Sequence, residues 1–237
     1  MTSGDGVIDA LADEGGTALE DGEYELALES FEAILEKDPE HWGAALRRAE
    51  CLHLLWRTPE ALKAVRALKP PADEEDDPER AEIEATVLEV MGRLEEADLL
   101  FGEAHRVDPE NFPLPVRFSP DEFKALVGKV LASMPQVIRE AVLEVPVIAE
   151  PKPTRAMAEH DPGMNPEVLG LFIGVSVGDK EASVGGEGAA VFLFQRNLER
   201  MGQSRQEVSK EMKITLLHEY GHYLGFDEEE LEHLGLG

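Results

Sequence analysis

The chain has 237 residues, 43% of them hydrophobic, which is enough for one large soluble domain or two modest ones. A formal net charge of −28 repels nucleic acid and anionic lipid, so no nucleic-acid partner and no membrane partner is expected. No apolar run approaches a membrane span, residues 1–10 lack an export signal, and a lone Cys51 excludes an internal disulfide framework; the expected location is a reducing cytoplasm.

The charge is uneven, with 30 acidic and 10 basic side chains in residues 1–111 against 20 and 12 in residues 112–237. The first part also repeats. Gly22, Ala27, Phe31 and Pro39 recur 70 residues later as Gly92, Ala97, Phe101 and Pro109, and a degenerate middle copy carries Ala61, Val65 and Leu68. Two steps of about 35 residues, each with helical periodicity, mark a stacked helical array. Cys51 lies within such a pattern and reads as packing.

These landmarks, with Gly15 at a small first-helix position, resemble the tetratricopeptide repeat. Leu11, Ala45 and Ala81 stand where that repeat usually has tryptophan, and residues 70–78 insert an exposed acidic loop before the third copy. The resemblance implies about three helix-turn-helix units over residues 1–111, forming a short solenoid whose groove binds a protein partner or peptide.

Residues 112–118 are proline-broken and read as a linker to a domain over residues 119–237. Ser119, Pro120 and Glu122 form a helix-opening capping box, and Pro135 breaks that helix ahead of a second piece ending near Leu143. The period then changes: residues 145–148, 169–177 and 189–195 read as three strands, residues 150–167 as a long irregular loop and residues 178–188 as a hairpin connection.

Ser204 and Glu207 open another helix, which carries His218, Glu219 and His222 before Gly225 stops it. Residues four apart stack on one helix face, so both imidazoles can close on a single Zn2+ ion while Glu219, about 100° round from His218, meets a water as general base. Glu228 is the first candidate for a third metal ligand, ahead of Asp227, Glu229, Glu232 and His233; Asp227 with Glu230 also reads as a capping box. The acidic tail lacks the alternating ligands and glycine of a calcium loop.

From residue 119 onward, the opening helix, the segments 170–174 and 191–194 and the motif HExxHxxGxxE from His218 to Glu228 resemble the small bacterial zincin-like metallopeptidases. That family tends to carry a second histidine after His222 and aspartate at the third-ligand position, where this chain has Tyr223 and Glu228. The resemblance implies a small α+β domain behind the helical solenoid, zinc at His218, His222 and Glu228, Glu219 as general base, and peptide or protein substrates. It also implies a sheet-edge strand beside the helix, for which residues 189–195 are the candidate. The other reading is a non-catalytic repeat adaptor with a structural or vestigial zinc site. A structural site needs four protein ligands and no adjacent glutamate, so Glu219 favours chemistry.

Overall fold

The computed structural model describes residues 4–69, 77–159, 161, 163–176 and 189–236. It divides into two compact units, Met1–Leu114 and Pro115–Gly237. Each is built around its own core.

The first unit is three helix pairs: α1 (Gly4–Glu20) with α2 (Tyr24–Lys37), α3 (Trp42–Leu54) with α4 (Thr58–Ala67), and α5 (Pro78–Val90) with α6 (Leu94–Val107). Within each pair the chain turns through a left-handed residue, Gly22 at φ 77°, Trp56 at φ 58° and Gly92 at φ 74°. A tryptophan there costs on the order of 1–2 kcal/mol that glycine avoids. Ala27, Ala61 and Ala97 are fully buried, as expected of small residues where helices cross. Gly15 is held small by Phe31, whose ring lies 2.9 Å from where a Cβ would stand. Of the acidic insertion, residues 70–76 lie outside the described residues; Asp77 caps α5 through the Arg80 N–H and accepts from Trp42 Nε1 at 2.7 Å. Cys51 is fully buried, and burial pushes its thiol up to about 12, so it packs rather than reacts.

The second unit begins with residues 116–118 tied to the buried Glu199, Val116 N–H donating to its backbone carbonyl and the next two residues meeting its carboxylate. Phe118 N–H donates to it at 2.9 Å and Arg117 pairs with it at 2.9 Å. Ser119 and Glu122 exchange both capping-box bonds at the start of α7 (Pro120–Ser133), which ends before Pro135 and the short α8 (Gln136–Ala141). Three strands follow: β1 (Val147–Glu150), β2 (Gly170–Ile173) and β3 (Ala190–Phe194). The order is β1-β3-β2, with β1 parallel and β2 antiparallel to β3. This corrects one expectation. Residues 189–195 supply the central strand, and β2 is the edge that packs beside the long helix α10 (Arg205–Leu224). The connection expected over residues 178–188 lies outside the described residues.

The described residues of the segment 151–169 form a 3-10 turn at Met157–Glu159 and are otherwise irregular, yet they are bolted down. Lys152, almost fully buried, reaches Glu167 at 2.9 Å and Asn197 Oδ1 at 2.5 Å, while Asn197 donates to the carbonyls of Pro166 and Val168 and Arg200 pairs with Glu167. A buried cation is tolerated only when its donors are taken up in this way. The network holds the chain where it enters β2. Beneath, α7, the sheet and α10 close one core through Phe123, Val130, Val191, Leu193, Met212 and Leu216. The short α9 (Gln195–Leu198) links β3 toward α10, and α11 (Glu228–His233) follows it.

Candidate metal centre

Helix α10 starts at Ser204, whose side chain accepts from the Glu207 N–H; Glu207 in turn accepts from Gln203 rather than from the cap residue. It ends at Gly225 in the left-handed conformation, φ 96°. Between them His218 and His222 stack one turn apart with ring centroids 4.6 Å apart. Each Nδ1 meets a carbonyl oxygen, Leu236 at 2.8 Å for His218 and Phe226 at 3.3 Å for His222. A carbonyl only accepts, so each Nδ1 carries the proton and each Nε2 presents a lone pair.

Those two Nε2 atoms are 2.9 Å apart. Facing lone pairs at that distance repel unless a proton or a cation lies between them. Glu228 completes the cluster, Oε1 standing 3.2 Å from His222 Nε2 and Oε2 3.7 Å from His218 Nε2. One ligand atom from each of the three lies within 4.8 Å of the others. Tetrahedral zinc with bonds of about 2.0–2.1 Å has ligand–ligand edges of about 3.3 Å, which these separations straddle. The donor set therefore fits zinc, and both imidazoles already have the backbone partners that orient metal-ligating histidines.

The other acidic candidates are engaged elsewhere or stand outside this cluster. Asp227 and Glu230 exchange both bonds of a capping box at the start of α11, and His233 Nδ1 bonds the Glu229 carbonyl. Asp227, Glu229, Glu232 and His233 are absent from the three-residue group, which among the described residues is His218, His222 and Glu228.

Glu219 is buried on the neighbouring side of α10, against β2. Burial pushes its carboxyl up to about 8, the Phe172 backbone N–H that donates to it works against that shift, and the carboxylates of Glu228 and Asp161 add to it. A cation at the imidazoles would act in the opposite sense, favouring the ionised carboxylate. Gly170 makes the approach possible: a Cβ there would stand 2.7 Å from Thr215 Cγ2 and 2.9 Å from Glu219 Oε1. Glu219, the two imidazoles and Glu228 all open onto one cleft of about 530 Å³, walled by residues 168–172 and by Glu211, Ile214 and Thr215.

Tyr220 and Tyr223 are core residues. Burial pushes the Tyr220 phenol up to about 12, and Tyr223 meets Phe172 edge to face at 5.9 Å. Sequence reasoning did not find Gly170, the Phe172 N–H or the carbonyls of Phe226 and Leu236. A glycine inside an apolar strand run was a signal for the first, because it marks close approach of backbone to a neighbour. Backbone groups carry no such signal.

Three helix pairs in one unit, and in the other a small mixed sheet crossed by a helix presenting two imidazoles, define an all-helical repeat domain joined to an α+β domain with a metal-type centre. Comparison with protein families narrows this class. Residues 142–237 match the zincin-like metallopeptidase family, a family that implies zinc, and residues 18–85 match the tetratricopeptide repeat. The chain thus joins an N-terminal tetratricopeptide-repeat solenoid to a C-terminal zincin-like metallopeptidase domain. No curated protein matches it. Among the described residues no helix is long and apolar enough to cross a membrane.

Proposed function

We propose that the protein is a zinc-dependent peptidase of the cytoplasm, in which residues 119–237 hydrolyse peptide bonds and residues 1–111 bind a protein partner or substrate. His218, His222 and Glu228 hold the ion. Bound zinc would polarise the scissile carbonyl and acidify a water. Glu219 takes the proton of that water and delivers it to the leaving amine, so the carboxylate must lie within hydrogen-bond reach of both. Its burial against β2 excludes competing solvent, and the Phe172 N–H fixes its orientation. The Nδ1 bonds to Leu236 and Phe226 hold each imidazole in the tautomer that leaves Nε2 free to bind metal. Substrate lies in the cleft along β2, whose outer edge faces the helix.

One observation carries this reading: two Nε2 lone pairs converge beside Glu228, with a buried glutamate next to them on the same cleft. An adaptor with a purely structural ion would need a fourth protein ligand, and among the described residues the group has three. In the repeat domain, a second cleft of about 560 Å³ lies among α1, α2, α3 and α5, lined by Gly16, Glu20, His41 and the Arg47–Glu79 ion pair, and takes the partner.

The test compares zinc-loaded wild type with Glu219→Gln on a reduced, carboxymethylated protein that cannot fold. Cleavage by wild type, and a rate at least about 100-fold lower in the variant, is expected. Absence of cleavage by wild type would overturn the hydrolase reading.

A further inference from the structure

Glu211 stands on α10 seven residues before His218, two turns along the same face and about 10 Å away. It lines the cleft beside Ile214 and Thr215. Val168 and Leu169 line the same cleft, so its wall combines apolar side chains with the Glu211 carboxylate. Asp161, from the loop ahead of β2, adds a second carboxylate; one of its oxygens accepts the Gly163 N–H.

The sorting of charge along α10 is independent of the cleft's shape. Lys210 and Lys213 flank Glu211 in sequence, yet both line a separate groove together with Leu126 and Lys129 of α7. No lysine or arginine lines the cleft among the described residues. Among the described residues, the acids of the cleft wall thus share the cleft with no lysine or arginine, while Lys210 and Lys213 line the other groove.

An extended peptide advances about 3.3 Å per residue, so with its scissile bond at the imidazoles the third residue to one side comes level with Glu211. A long cationic side chain suits that position, its methylenes lying on Ile214 and Leu169 and its charged head reaching a carboxylate. We infer that the cleft selects peptides with a lysine or arginine about three residues from the bond cut, with Glu211 as the specificity-determining residue and Asp161 assisting. This rests on the peptidase reading above and names its substrate class.

Binding can be measured apart from turnover. Labelled octapeptides with arginine or norleucine three residues from the centre, on either side, are titrated by fluorescence anisotropy into zinc-loaded, full-length Glu219→Gln. For one placement the arginine peptide is expected to bind about tenfold tighter. Adding Glu211→Gln should erase that difference with zinc content and circular dichroism unchanged. Equal affinity for arginine and norleucine, including no binding of either, would overturn the inference, as would an arginine preference that survives Glu211→Gln undiminished. Cleavage by wild type without the preference sinks this inference alone; the preference without cleavage sinks the peptidase reading alone.

Discussion

Leu231 packs its side chain onto Gly221, in the space a Cβ at residue 221 would fill. Gly221 lies between Glu219 and His222 on α10, and Leu231, fully buried, is the apolar anchor of α11. Their contact sets how closely the first turn of α11, with Glu228, approaches the imidazoles.

Gly221→Ala should therefore damage the centre although alanine favours a helix interior by about 1 kcal/mol. Overpacking of about 1–3 kcal/mol is expected to push α11 away and to weaken zinc binding at least tenfold. Competition with a chromophoric chelator measures the affinity. Leu231→Ala in the same chain should restore part of it by making room for the methyl group; a double variant no better than Gly221→Ala would show that the two residues do not act through this contact.

Gly170→Ala acts on the other wall of the site. The added methyl presses on Thr215 and on Glu219 Oε1, not on either imidazole. Zinc content should remain near that of wild type while kcat falls at least tenfold, since a carboxylate displaced by even about 1 Å loses its alignment. Loss of the metal instead would mean that β2 supports the ligands rather than the base.

Glu219 makes the chelated protein sensitive to pH in a defined direction. Its carboxyl lies at about 8 in the folded state against an ordinary value of 4.5. Below that ordinary value both states are protonated and nothing is lost. As pH rises through the window the unfolded chain releases its proton first, so folding stability falls until the folded carboxyl also ionises near pH 8. Glu219→Gln lacks this loss. In urea unfolding with a chelator present, the variant's advantage over wild type should grow between pH 5 and pH 8 by on the order of a few kcal/mol. Parallel pH profiles would mean that the carboxyl is not held in an apolar setting.

Local chemistry made much of this structure readable in advance. The paired landmarks at Gly22 and Gly92, the cap at Ser119, the breaks at Pro135 and Gly225 and the helical spacing of His218 and His222 each depend on a few neighbouring residues. Sheet order does not. Strand order is set by pairings between segments far apart in the chain, β1 with β3 and β2 with β3, which is why residues 189–195 were expected at the edge and lie in the middle. Among the acidic residues after Gly225, the spacing of Asp227 and Glu230 marked a cap, but only the fold brings Glu228 beside both rings. The buried carboxylate of Glu199 and the buried ammonium of Lys152 were silent in the sequence because each is satisfied by partners distant in the chain.

The central claim is that two histidines and Glu228 hold one zinc ion next to a glutamate that is not a ligand. Elemental analysis of the full-length protein, purified without added metal, tests it most directly alongside His218→Ala, Glu219→Gln and Glu228→Ala. About one zinc per chain is expected in wild type and in Glu219→Gln, with little in His218→Ala and a reduced content in Glu228→Ala. No zinc in wild type after reconstitution, or full zinc in His218→Ala, would contradict the account.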